Sequence, residues 1–517
     1  MTRKVSVLIA LVALMGGPAL AQDARSILQA YGNMIGANNV KSVQYSGTGA
    51  HGFFGQAFTP NDDWPRTDIK SYTRTIDYDS KSSKEDMVRV QGNNPARGGG
   101  FVPLIGEVKS TTLVSDKYAW NLNNQGNAVP QPAAAEVRQF DIWVTPYGFV
   151  KAALASNPTV TRRNVRGKML NVVGFTTMGK YRVTGEFNDQ NVLERVLTWI
   201  PDPVLGDMQY EIRYLDYKDY GGMKYPSHIH AHQGDNPVHP GRTGFNVFDL
   251  RLTDLKTNVS GAALTVPDNV RTAPMPQARA TSDKLADGVW LIGGAGANSL
   301  AVDFRDFITV IETPANEERS NAVIAEVKRL IPNKPIRYAV NTHNHFDHLG
   351  GVRTYVAEGA TIVTNEINRE FYEKIVFAPQ IRTLSPDRLS LFPFATTGPN
   401  TVNQLETFTD KYSITDGNRQ LEIHHVQGLN HNGGMAMIYF PKERIIVNAD
   451  LYSPPTPEAP LPARANQSAF TFYDNVKRLK LDPATVAPIH GRPGPWDEFV
   501  KWIEPQAAAR QRGGAVE

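Results

Sequence analysis

Cysteine is absent from all 517 residues of the chain. That excludes a thiolate nucleophile, a cysteine zinc ligand and a disulfide framework. Charge of one sign is also lacking: 54 Lys and Arg against 51 Asp and Glu leave +3. With no basic stripe, nucleic acid and anionic membrane surfaces have little electrostatic claim on the chain. The apolar run from Val5 to Met15 is too short to span a bilayer as a lasting anchor. Histidine is sparse, 12 in all, so any clustering of it is informative.

That apolar run has another reading. Arg3 and Lys4 give a short basic start, and Ala19-Leu20-Ala21 places small residues just before Gln22. This is the layout of a cleaved signal peptide over 1–21, and it predicts an exported, periplasmic or secreted protein. Loss of Arg3 and Lys4 takes +3 to +1. With no cysteine after the cleavage site, a bacterial lipid anchor there is excluded, so no stable membrane anchor is expected.

The length calls for two large domains. From 22 to 270 the sequence alternates rather than repeating at helical spacing. In Met208 to Tyr214, for example, Met208, Tyr210, Ile212 and Tyr214 share one face. Asp219-Tyr220-Gly221-Gly222 is a turn, and Met223 to Ala231 should return as the paired strand. Asn191 to Trp199 and Phe248 to Leu252 read as further strands, and Ala24 to Ile35 as an early helix. This is a mostly antiparallel β-domain. His228, His230 and His232 alternate on one predicted strand and so share a face. With no carboxylate in loop geometry beside them, they read as the polar face of a half-exposed strand. His51 and His239 carry no pattern.

Pro, Asn and Ala then mark a linker over 271–284. From 285 to 505 strands alternate with helices, giving an α/β layer structure. Val289–Ile292, Ser299–Val302, Phe307–Ile311, Ile336–Val340 and Thr361–Thr364 are strand-like. Asn316 to Leu330 is an amphipathic helix with a stripe of Val323, Ile324 and Val327. Helices are also expected near Val352 to Glu358 and over Asn365 to Lys374. Phe377 to Asp410 reads as an irregular insertion, and 506–517 as a disordered tail.

The densest chemistry lies in Asn341-Thr342-His343-Asn344-His345-Phe346-Asp347-His348-Leu349-Gly350-Gly351. It follows a buried strand, so its ligand-type side chains occupy a loop at a strand's carboxyl end, where open α/β sheets bind ligands. His343 and His345 can converge on one cation, while Asp347 and His348 turn toward a second. Imidazole and carboxylate together suit zinc and, less selectively, iron or manganese.

His343-x-His345-x-Asp347-His348 resembles the signature of the metallo-β-lactamase-fold hydrolases. Later positions extend the resemblance in the family's order. His431-Asn432-Gly433-Gly434 is similar to its His-Thr-x-Gly turn, although Gly428 stands three residues before the histidine; His424 and His425 are the rivals. Asp450 ends the strand Arg444 to Ala449, and Ile489-His490-Gly491 is similar to the closing Gly-His-Gly. The resemblance implies an αββα sandwich with two metal groups, His343/His345/His431 and Asp347/His348/His490, bridged by Asp450. More weakly, Tyr214 to Pro226 resembles the late strands of periplasmic lipoprotein-carrier-like half-barrels.

Two zinc ions sharing a solvent molecule lower its pKa toward neutrality, since one zinc alone brings it to about 7. The resulting hydroxide attacks an acyl carbonyl, with Asp347 orienting it and shuttling its proton. An exported zinc hydrolase of an ester, thioester, lactone or amide of a small molecule is therefore expected. The alternatives are a periplasmic β-lactamase, an alkyl-sulfate or phosphoester hydrolase, and a non-catalytic lipid-binding module.

Overall fold

A computed structural model of the chain describes residues 17–512, except 166, 235–243, 295, 379–381, 393–403 and 457–458. The basic start and apolar run of the expected signal peptide, and His239, lie outside the described residues.

Thirteen strands build the first domain: β1 (Ser42–Gly52), β2 (Arg66–Asp77), β3 (Ser82–Val90), β4 (Val108–Ser115), β5 (Tyr118–Leu122), β6 (Ala128–Pro130), β7 (Thr159–Val165), β8 (Lys168–Thr177), β9 (Tyr181–Phe187), β10 (Leu193–Asp202), β11 (Gly206–Asp219), β12 (Lys224–Gln233) and β13 (Phe245–Thr257). They form one sheet in the order β6-β5-β4-β3-β2-β1-β13-β12-β11-β10-β9-β8-β7. The first and last strands thus meet in the middle, and antiparallel neighbours run out on both sides. Helices α1 (Gly17–Ile35), α2 (Ala135–Trp143) and α3 (Pro146–Leu154) cover one face. Thr145 caps α3 by accepting from the Gly148 amide, Pro146 supplies a preset φ, and Tyr147, Phe149, Val150 and Ala153 are buried beneath it. Alternation aims Tyr45, Tyr72, Tyr214, Tyr225 and Ile229 into this core and leaves the residues between them on the opposite face.

The short helix α4 (Asp268–Arg271) ends this domain. The second is a pair of sheets. One holds β14 (Thr281–Ala286), β15 (Val289–Gly293), β16 (Ser299–Asp303), β17 (Ile308–Ile311), β18 (Ile336–Val340), β19 (Thr361–Asn365) and β20 (Leu405–Phe408), in sequence order. The other holds β21 (Lys411–Thr415), β22 (Gln420–His425), β23 (Ala436–Phe440), β24 (Ile445–Asn448), β25 (Thr485–Pro488) and β26 (Gly494–Pro495). Buried residues of both sheets, among them Leu300, Val340, Val363, Ile438 and Val447, form one core. Helices α5 (Glu317–Leu330), α6 (Phe346–Leu349) and α7 (Val352–Ala357) accompany the first sheet; Gln467–Arg478 and Trp496–Arg512 pack on the second. This is the αββα sandwich.

Three expectations are corrected. The linker is shorter, because Thr281–Ala286 pairs with Val289–Gly293 in a hairpin closed by Asp287 and the left-handed Gly288, φ 70°. The tail is helical as far as Arg512: the alanine-rich stretch after Gln506 favours helix, and Gln506 accepts from the Ala465 amide at 2.9 Å. The helix expected over Asn365 to Lys374 is a succession of short turns ending in the π-helical segment Tyr372–Val376, because β19 runs to Asn365, whose side chain caps the first of those turns.

Candidate metal centre

The site forms where strands of both sheets end. The chain leaving β18 supplies His343 and His345, and α6 then turns Asp347 and His348 back over it. The β22–β23 connection brings His431. Asp450 follows β24 with φ 57°, and His490 follows β25. Buried apolar strands fix these loop origins, so residues far apart in sequence converge.

Asp450 stands between the two groups of ligand-type residues. Its Oδ2 lies 3.3 Å from His343 Nε2, 3.2 Å from His431 Nε2 and 3.1 Å from His348 Nε2, while Oδ1 lies 3.4 Å from His490 Nε2. On one side His343 Nε2 approaches His345 Nδ1 at 2.9 Å. On the other, His348 and His490 approach through their Nε2 atoms at 3.1 Å, with Asp347 Oδ2 at 3.4 and 3.9 Å. Donor atoms close enough to share an ion gather as His343/His345/His431/Asp450 and as Asp347/His348/His490, with Glu312/His343/His348 overlapping both. The structure thus brings together all seven residues singled out in the sequence. His424 and His425 stay out, hydrogen-bonded to Glu422 and to the Gly433 carbonyl at 3.0 Å each.

The far ring nitrogens are anchored too, which fixes ring orientation and tautomer. His345 Nε2 donates to the Ala57 carbonyl at 3.1 Å, His490 Nδ1 to the Gly296 carbonyl at 3.0 Å, and His348 Nδ1 to Glu312 Oε2 at 3.0 Å. His343 Nδ1 meets Thr342 Oγ1 at 3.0 Å. In the neutral rings of these four residues the inward nitrogen is the one that carries the lone pair. An N/O donor set of five imidazoles and two carboxylates, arranged this way, fits divalent metal ions.

Burial dominates the electrostatics. It pushes His343 down to about 3, with His348 adding to the shift, and carries His345 well below the usual imidazole range. Burial also works against charge on His348, but the Asp450 and Glu312 carboxylates outweigh it and raise that ring. For Asp450 burial is opposed by His348 and by hydrogen bonds from His343, His348 and His431, which hold the carboxyl well below its ordinary range.

Several participants escaped the sequence reading. Glu312, fully buried after β17, braces His348 and accepts from Asn341 Nδ2 at 3.0 Å and Thr342 Oγ1 at 2.5 Å. Its only sequence signal is an acid directly after an apolar strand. Gln56, in the β1–β2 loop of the other domain, donates to Asp347 Oδ1 at 2.8 Å. Gly99, from the β3–β4 loop, lies against the same place: a Cβ there would come within 2.6 Å of His345 Cε1. Phe54 and Trp64 pack edge-on against Phe346, with centroids at 5.3 and 6.3 Å. In the same β3–β4 loop as Gly99, Phe101 and Ile105 stand 90% and 87% exposed. The first domain therefore forms a wall of the centre.

Residues 296–490 match the family model of the metallo-beta-lactamase superfamily. A curated relative, the linear primary-alkylsulfatase of Pseudomonas sp. (strain ATCC 19151), is 24% identical over 217 residues, covering 36% of this chain and 40% of the relative. The chain thus matches about two fifths of that protein's length. Among solved structures, a metallo-beta-lactamase from Pontibacter korlensis is similar over 45% of this chain and 99% of its own, with 18% identity and a TM-score of 0.33. The metallo-beta-lactamase FIM-1 from Pseudomonas aeruginosa, in its mono-zinc form, is similar over 46% of this chain and 98% of its own, with 21% identity and a TM-score of 0.32.

Proposed function

We propose that this chain, whose residues 296–490 are a metallo-beta-lactamase superfamily domain, is an exported dinuclear zinc hydrolase that cleaves an ester, thioester, lactone or amide bond of a small molecule. The observation that carries this reading is the position of Asp450, one carboxylate within 3.4 Å of ring nitrogens from both groups. His343, His345 and His431 would hold one ion and Asp347, His348 and His490 the other, with Asp450 shared. Two such ions supply Lewis acidity and an acidified water molecule. Iron or manganese would suit the same donors.

The chain's own residues set the rest. Asp347 is the half-exposed member of the set, its side chain 50% accessible. Burial tends to protonate it, but His348 and the Gln56 amide hold it below the usual carboxylate range. It is thus a carboxylate at neutral pH with one oxygen pinned by Gln56, placed to accept a proton released at the centre. Phe101 and Ile105, exposed on the same β3–β4 loop as Gly99, favour a substrate with an apolar part. Export rests on the basic start, the apolar run and the Ala19-Leu20-Ala21 site. It predicts a mature chain beginning at or near Gln22, which N-terminal sequencing reads directly.

A second reading, cleavage of an alkyl sulfate, is favoured by the alkylsulfatase relative together with the same exposed apolar residues. A panel of acyl esters, lactones, β-lactams and alkyl sulfates separates the two. The purified protein should hold two zinc equivalents at this centre, lose activity to a chelator and regain it with zinc. His431→Ala should lower metal content and activity together, whereas His424→Ala should not. A metal-free protein that turns over the panel unchanged would overturn the proposal.

A further inference from the structure

We propose that His228, His230 and Asp249 form a further site for a divalent transition-metal ion, on the face of the first domain's sheet opposite its helices. His228 and His230 lie two apart on β12, and Asp249 stands across from His230 on β13. Alternation puts all three on one face, since Ile229 between the histidines points into the helix-covered core. His228 Nε2 and His230 Nδ1 both meet Asp249 Oδ2, at 3.1 and 2.8 Å. These three atoms are close enough to share one ion. The donor set, two imidazoles and a carboxylate, has the composition of Asp347/His348/His490 in the other centre.

The ring hydrogens of the row point the same way. Beyond His230 the row continues: its Nε2 faces His232 Nε2 at 2.9 Å, and His232 Nδ1 faces Glu211 Oε1 at 3.3 Å. Glu211 is a carboxylate, since Arg195 and Arg213 also donate to it, at 2.8 and 2.6 Å. Among the described residues the row therefore has four hydrogen-bond contacts, two at Asp249, one between His230 and His232, and one at Glu211. Three neutral imidazoles carry only one ring hydrogen each, so one contact is left short. A cation at Asp249 removes the shortage. It takes the lone pairs of His228 Nε2 and His230 Nδ1, His230 Nε2 donates to His232, and His232 Nδ1 donates to Glu211. His230 then has a hydrogen-bonded imidazole and carboxylate behind it, the outer support that metal-binding histidines ordinarily have. His228 keeps its own ring hydrogen on Nδ1, toward Asp216 Oδ2 at 3.9 Å. Partial exposure of His230 and Asp249, 21% and 27% of their side chains, gives an ion a way in. Nitrogen with oxygen suits zinc, nickel or copper(II) rather than magnesium or calcium.

The experiment is a metal count on the full chain. Protein equilibrated with zinc and freed of excess is measured by mass spectrometry of its metal content, for wild type, His228→Gln/His230→Gln and Asp249→Asn. Each variant should hold one equivalent fewer than wild type, and neither should lose turnover on the substrate that the panel identifies. His431→Ala lowers metal content at the other centre instead, and activity with it, so failure of that assignment shows separately. Asp249→Asn keeps side-chain volume, and far-ultraviolet circular dichroism confirms that the compared proteins are folded. Zinc content equal to wild type in both variants overturns the proposal and leaves the row bridged by an additional proton.

Discussion

Asp347 is held by a side-chain amide from the other domain. Gln56 pins one oxygen at 2.8 Å while the other faces His348 at 3.4 Å, so the carboxylate has one useful orientation. Asp347→Asn keeps the shape and removes the proton acceptor. Turnover should fall by roughly 10²-fold or more with a much smaller change in KM, as for other positioned acid–base groups. Gln56→Leu should act through Asp347, weakening zinc retention by about 10-fold, the lower end for groups that support a ligand. Zinc retained as in wild type by Gln56→Leu would show that the amide contact has no such role. Wild-type activity should also drop on the acid side, because protons compete with the metal for the imidazoles. At this scale the sequence was most readable where ligand types cluster within one loop, and at His431, Asp450 and His490 through strand-end context. It was mute for Gln56 and Gly99, and for Glu312 it offered only an acid after an apolar strand. Each is a single residue without a repeating pattern, placed by sheet packing that no local signal encodes.

The segment after the π-helical turn shows what an element owes to buried charge. Asp387 caps Arg388–Leu391 and takes both Arg353 and Arg382, whose side chains are 5% and 3% exposed. Arg382 then reaches the Asp202 and Val204 carbonyls of the β10–β11 hairpin, at 3.3 and 3.0 Å. Burial alone would raise the Asp387 carboxyl, but the guanidinium groups win and bring it to about 2, against 3.8 when unfolded. A folded-state value below the unfolded one stabilises above the latter and is lost as pH falls through the former. This contribution should therefore be complete above pH 4 and fade between about 4 and 2. Asp387→Asn should cost about 3 kcal/mol at neutral pH, because two buried cations lose their partner. In a pH series of thermal melts, the gap between variant and wild type should narrow through that window; a gap that stays constant would count against the assignment. The insertion read as irregular from sequence is thus tied down in its described part by three charges. Alternation and turn residues identified the late strands of the first domain, while the Gly, Asn and Pro-rich stretch before 140 left the bounds of β1 to β6 open, since their pairing depends on partners far along the chain.

At the scale of the molecule, the two domains share one catalytic wall. Ala57 fixes the His345 ring, Gln56 fixes Asp347, and Phe54 and Trp64 cover Phe346, all from the β1–β2 loop. On the far side, Asp207 accepts from the Thr383 and Leu384 amides at 2.9 and 3.0 Å, so the contact has two separated footholds. A chain beginning at Thr281 keeps every sandwich strand and all seven ligand-type residues, yet loses both. Exposing Phe346 alone should cost about 2 kcal/mol of burial. Freeing His345 Nε2 and Asp347 Oδ1 should weaken zinc retention by about 10-fold or more. The shortened protein should therefore melt below the full chain and give up zinc to a lower chelator concentration, and its selectivity across the substrate panel should flatten, because Phe101 and Ile105 leave with the first domain. If its melting temperature, zinc retention and selectivity all match those of the full chain, the first domain is an independent module. The lipid-binding reading of its sheet would then gain the weight that the shared wall now carries.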